Sequence, residues 1–199
     1  MDRTRFLRFA SLALALILLL GTTALLAGDE PAAKEKKEKI YYDASIYQTG
    51  RAGMPVLRVQ FLIEEFSTPE EAAQLAQILK ESGDAGLAKA LSKMKEKGNI
   101  QINNRLGYKI GFIRKIESPD GGYIIRMATD RPLTIPEVWG DTRSTDYTIG
   151  VVEMKLDAED KGEGVIIYAA KVKFNEQNML EIETYGIAPA KLVNIKKWK

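Results

Sequence analysis

The chain has 199 residues, 45% of them hydrophobic and 28% charged, the composition of one globular domain with a sizeable core plus an N-terminal segment. It has no cysteine and no histidine, which excludes disulfides, the usual zinc sites, and Ser-His-Asp or Cys-His catalysis within the chain. The net charge of +2 comes from Arg3, Arg5 and Arg8 set against Asp2; beyond residue 27 basic and acidic residues balance, which argues against a general nucleic-acid binder.

The N-terminus reads "MDRTRFLRFASLALALILLLGTTALLAG". Arginines precede an apolar run from Phe9 to Leu20 and then small residues, the order of a secretory signal. No clean Ala-x-Ala cleavage site is present, and Phe9–Ala27 approaches the ~20 residues that span a bilayer as a helix. Residues 1–27 are expected to be a signal peptide, with an uncleaved membrane anchor as the alternative. Either places residues 28–199 outside the cytoplasm: periplasmic, secreted or tethered to the envelope. The absence of cysteine after the run rules out a cysteine-linked lipid anchor. Residues 28–39, "GDEPAAKEKKEK", form a charged linker of alternating sign.

From Ile40 to residue 199 the pattern predicts one β-rich domain. "IYYDASIYQ" reads as a strand and "GRAGMP" as a turn. In "VLRVQFLIEEF", Leu57, Val59, Phe61 and Ile63 alternate with Arg58, Gln60 and Glu64, the signature of a half-buried strand. A helical hairpin is expected at about 69–97. Thr68, Pro69 and Glu71 supply an N-cap, a first-turn proline and a capping box. Leu75, Ile78 and Leu79 form one apolar stripe, "SGDAG" breaks it, and Leu87, Leu91 and Met94 continue on a second helix that Gly98 terminates. Period two then returns. "NIQI", "YKIGFIRKI", "YIIRMAT", "YTIGVVEMKL", "VIIYAAKVKF", "MLEIETYGI" and "KLVNIKKW" read as strands, with "ESPDGG", "DAEDKGEG" and "NEQN" as turns. The apolar phase slips between Val151 and Val152, which predicts a bulge. The expected class is α+β: mostly antiparallel β, about eight strands in a sandwich or partly closed barrel, with an inserted two-helix hairpin.

Candidate sites lie mainly in "GDTRSTDYTIG". Asp141, Arg143 and Asp146 there are candidates to meet Asp130 and Arg131 from "ATDRPLT". Paired carboxylates can hydrolyse a glycosidic bond without histidine, and arginine can hold an anion bidentately. The favoured reading is humbler, a polar loop of turn-forming side chains that serves as a binding edge at most. "DAEDKGEG" fails as a calcium loop because Lys161 stands where an oxygen ligand is required. Glu64 and Glu65 are adjacent in a strand and point to opposite faces. Gly107 and Gly111 lack the order of a phosphate loop and are expected to relieve a twist or bulge. The tyrosines are expected mostly in core and rim, and the "KKWK" tail is a weak candidate for touching anionic lipid. No catalytic residue, metal ligand or cofactor is expected. The reading is an exported, non-catalytic β-rich domain of the cell envelope that binds a small-molecule ligand or protein partner. The alternatives are a carboxylate-based hydrolase of envelope glycans, built on Asp130, Asp141 or Asp146, and a lipocalin-like carrier.

Overall fold

The computed structural model describes residues 38–47, 56–133, 147–176, 180–184 and 188–198. In chain order they form β1 (Ile40–Tyr47), β2 (Leu57–Ile63), α1 (Pro69–Lys93), β3 (Gly98–Ile102), β4 (Tyr108–Glu117), β5 (Tyr123–Thr129), β6 (Ile149–Leu156), β7 (Lys161–Phe174), β8 (Leu180–Thr184) and β9 (Ala190–Lys197). The sheet order is β6-β5-β4-β3-β2-β1-β9-β7-β8, and β6 also pairs with β7, so eight strands close into a barrel with β8 as one extra strand. Every pairing is antiparallel. Between sandwich and barrel, closure decides for the barrel, and the length of β7 makes it possible. Its first half is zipped between β6 and β9, and its second half extends past both to pair with β8.

Strand alternation sorts the side chains. Tyr42, Val59, Phe61, Ile100, Ile113, Ile125, Met127, Met154, Ile166 and Leu192 face inward and pack into one buried cluster. The other face carries charge, as in the Arg126–Glu153 pair at 2.7 Å between β5 and β6. Apolar inside and charged outside is the reverse of a lipid-embedded barrel. Among the described residues, no helix is long and apolar enough to cross a membrane.

The helical segment forms where its signals lie. Thr68 accepts from the Glu71 amide at 3.2 Å and the Glu71 carboxylate accepts from the Thr68 amide at 2.9 Å, with Pro69 in the first turn. Gly83, at φ 64° and ψ −166°, breaks it into two arms, a backbone state that glycine adopts at little cost. Both arms lie on the outer face of the barrel. Leu75, Leu79, Leu87 and Leu91 bury against Phe112, Ala128, Ile149, Val151, Ile167, Ala170 and Val172. Burial of each leucine stabilises by ~1.5–3 kcal/mol, which holds the hairpin without help from intrinsic propensity. Gly111 permits the approach: a Cβ there would sit 2.8 Å from the Leu91 carbonyl oxygen. It also lies at the register shift between Ile110 and Phe112, the bulge that aims both Ile110 and Ile113 inward.

Two boundaries differ from the sequence expectation. The second arm ends at Lys93, not Lys97, and Gly98 opens β3 instead of stopping the helix. The backbone of Lys97 is claimed by the sheet: its amide donates to Ile110 and its carbonyl accepts from Glu64 and Glu65. Similarly, the turn expected over Asp157–Gly164 closes by Asp160. The Asp157 carboxylate accepts from the Glu159 and Lys161 amides at 2.9 Å each, and β7 starts at once. The bulge expected between Val151 and Val152 is not there, since both residues pair in regular register with β5 and β7; the irregularity lies one step earlier, where Ile149 and Val151 face Ala170 and Ile167 and the extra residue belongs to β7.

Candidate functional site

The connections give the barrel two unlike ends. At one end, tight turns join β4 to β5 and β6 to β7. At the other, residues 103–107 and 185–189 and the longer connections 48–56 and 130–148 join the strands, and binding residues concentrate on such longer connections.

Asp130 and Arg131 leave β5 at this loop end. Thr129, the last residue of β5, fixes the exit: its buried hydroxyl donates to the Arg131 carbonyl at 2.6 Å and accepts from the Gly150 amide at 2.8 Å. Two residues on, the Leu133 amide donates to the Tyr168 carbonyl at 2.7 Å, and the Leu133 side chain plugs the apolar interior. Residues 129–133 are therefore pinned to β6 by the Thr129 hydroxyl and to β7 by the Leu133 amide, not left as a free loop.

On this pinned segment the two charged side chains are in unlike states. The Arg131 guanidinium is exposed and lies over the Tyr108 ring, 5.4 Å from its centroid, with no carboxylate in ion-pairing range among the described residues. Stacking of this kind orients the planar fork while leaving its donors open. The Asp130 Oδ1 atom is sealed from solvent and has no hydrogen-bond partner among the described residues. Nearby in the fold, the Tyr168 hydroxyl is also buried and unpartnered, and burial pushes its ionisation well above the ordinary tyrosine range. A buried carboxylate oxygen without a donor is costly, so a ligand that opened this position and supplied a donor would relieve that cost. Of the sequence candidates, the structure thus places Asp130 and Arg131; Asp141, Arg143 and Asp146 lie outside the described residues.

Several members were not singled out from sequence. Tyr108 and Tyr168 stood among eight tyrosines with nothing to separate them. Thr129 and Leu133 gave no signal, because their roles arise from a contact with β6 and β7. At the tight-turn end, a second polar group was missed. The Tyr123 hydroxyl donates to Asp160, and the Tyr42 and Tyr123 hydroxyls are 2.9 Å apart. Lys115 lies 4.2 Å over the Tyr123 ring, and Lys197 is 3.5 Å from Asp160. Burial, then the hydrogen bond to Asp160, raises Tyr123 far above the ordinary tyrosine range; burial also raises Tyr42. This chain of side chains stoppers the apolar interior with satisfied polar groups. Among the described residues, no group of three carboxylates is placed to hold a metal ion.

Comparison with protein-family models, with curated proteins and with solved structures gave no match.

Proposed function

We propose that this chain is an exported, non-catalytic binding domain of the cell envelope or periplasm, whose recognition surface is the loop end of the barrel around Asp130 and Arg131. The observation that carries the reading is the exposed Arg131 guanidinium, oriented over Tyr108, next in sequence to an Asp130 whose Oδ1 is buried, neither having a charged or hydrogen-bonding partner there among the described residues. The exposed guanidinium suits a ligand with an anionic or carbonyl acceptor, and one that also opened the Asp130 position with a hydrogen-bond donor, as a peptide segment or an amino sugar can, would engage both. The arginine-then-apolar order of residues 1–27 supports export. The carrier alternative is less well supported, because the barrel interior is occupied by side chains with no accessible surface, Phe61, Ile100, Ile125 and Ile166 among them.

Thermal unfolding against glycans, peptides, fatty acids, nucleotides and calcium tests the proposal. A ligand of the folded state raises the midpoint with its concentration. The shift is expected to vanish in Asp130→Asn and in Arg131→Gln, while the unliganded midpoint stays within about 2 °C of the parent for the exposed Arg131 and holds or rises for Asp130, whose unpaired charge is removed. A shift that survives both substitutions places the site elsewhere. Release of reducing ends from a glycan, lost in Asp130→Asn, would establish the hydrolase instead.

A further inference from the structure

We infer that the tight-turn end of the barrel is a docking edge for an anionic membrane surface, formed by Tyr41, Trp198, Lys161 and Lys196. The inference is independent of the loop-end site and rests on the alternative in which residues 1–27 stay attached as a membrane anchor.

The four residues come from three adjacent strands. β1 and β9 pair with Tyr42 opposite Lys197, and the Trp198 amide donates to the Tyr41 carbonyl at 2.9 Å, so the two aromatic residues sit side by side. Tyr41 is 45% exposed and Trp198 52%, unlike Tyr42, Tyr123 and Tyr168, which are buried. In the next strand, Lys161 of β7 stands directly opposite Lys196 of β9, and both are exposed. Like charges in register repel. Neither lysine has a carboxylate in ion-pairing range among the described residues. Asp43, cross-strand from Lys196, is held by Arg58 at 2.8 Å, and Asp160, beside Lys161, faces Lys197 at 3.5 Å. A lysine pair without an ion-pair partner among the described residues, next to two exposed amphipathic rings, matches a lipid headgroup layer, where tyrosine and tryptophan settle at the interface and lysines meet phosphate, and the Asp157 carboxylate of the adjoining turn is occupied by the Glu159 and Lys161 amides.

Chain continuity selects the membrane as the occupant. Tyr41 is the second residue of β1, and only residues 28–39 separate the fold from the apolar run that ends at Ala27. Twelve residues reach at most ~40 Å when fully extended. If residues 9–27 enter a bilayer, this end of the barrel is held within that distance of the lipid, and the loop end faces away from it.

The test uses the full chain with Trp139→Phe, which leaves Trp198 as its single tryptophan. It is reconstituted into vesicles of phosphatidylcholine, or of phosphatidylcholine with an equal amount of phosphatidylglycerol, each carrying a headgroup spin label that quenches indole fluorescence. Strong quenching is expected in the anionic vesicles. It should be several-fold weaker in the neutral ones, and weaker too at ~1 M salt, where the screening length falls to ~3 Å. Lys161→Glu adds the decisive arm. It gives Lys196 an opposite charge across the strands, so the thermal midpoint is expected to hold or rise while quenching in anionic vesicles drops to the neutral level. Equal quenching in both lipids, no quenching in either, or undiminished quenching in Lys161→Glu overturns the inference and assigns the patch to water or to a protein partner.

Discussion

Asp84 holds the helical hairpin to the barrel, and Asp84→Ala measures how much that contact matters. β7 outruns β6: their ladder ends with Ile149 opposite Ala170, and the Thr148 amide donates to the Ala170 carbonyl. Two residues further, the Val172 amide points to the same side and has no strand to meet. The Asp84 carboxylate takes that place, accepting from Val172 at 2.8 Å and, through its other oxygen, from the Thr148 hydroxyl. Val172 is buried, so alanine at position 84 strands its N–H away from water. An unsatisfied buried donor costs ~1–3 kcal/mol, and loss of the second bond adds ~0.5–1.5 kcal/mol. The expected destabilisation is therefore ~2–4 kcal/mol, or roughly 4–16 °C in midpoint for a domain of this size. Asp84→Asn keeps one acceptor oxygen and should recover about half. Urea unfolding followed by far-ultraviolet circular dichroism gives the magnitude, and amide hydrogen exchange at Val172 gives the location. A loss below ~0.5 kcal/mol, or unchanged protection of the Val172 amide, would refute the reasoning.

Lys97 is almost wholly buried and its ammonium lies 3.0 Å from the Glu71 carboxylate, which is 31% exposed. Glu71→Gln leaves that cation unpaired and is expected to cost ~1–3 kcal/mol, discounted from the fully buried case for the partial exposure of the carboxylate, whereas Lys97→Met costs less; urea midpoints of the two variants check the order. Thr129→Val preserves shape but removes the acceptor for the Gly150 amide, and a loss of ~1–3 kcal/mol is expected by the same assay. Tyr123 and Tyr42 ionise above the ordinary tyrosine value when folded, so they contribute stability that is intact below pH ~10 and is lost as pH rises beyond it, while the unfolded chain ionises first. Stability measured from pH 8 to pH ~11 is expected to fall above ~10, and Tyr123→Phe should flatten that fall; an unchanged slope would remove Tyr123 as its source.

Much of the fold was legible from local pattern. In β2, Leu57, Val59, Phe61 and Ile63 alternate because a strand has one dry and one wet face, and the structure buries those four. Thr68, Pro69 and Glu71 mark the helix start because unsatisfied amides must be capped by neighbours in sequence. The "ESPDGG" turn is equally local: the Ser118 amide donates to Gly122 and the Gly121 amide to Ser118. Closure was not legible. Whether β6 pairs with β7 to complete a barrel depends on strand length, twist and register summed around eight strands, none of which a window of sequence contains.

The candidate site divides the same way. Sequence by itself determined which chemistries this chain lacks, since a missing histidine or cysteine needs no coordinates, and it directed attention to Asp130 and Arg131 as a polar cluster at a strand end. Tertiary structure alone decided their states. Among the described residues Asp130 has a sealed, donorless oxygen, while Arg131 keeps an open fork over the Tyr108 ring on a segment held by Gly150 and Tyr168 from two other strands, and burial is a property of what packs around a residue, not of its neighbours along the chain. Lys161 and Lys196 follow the same rule: thirty-five positions apart in sequence, they become cross-strand neighbours only when β7 meets β9 in register.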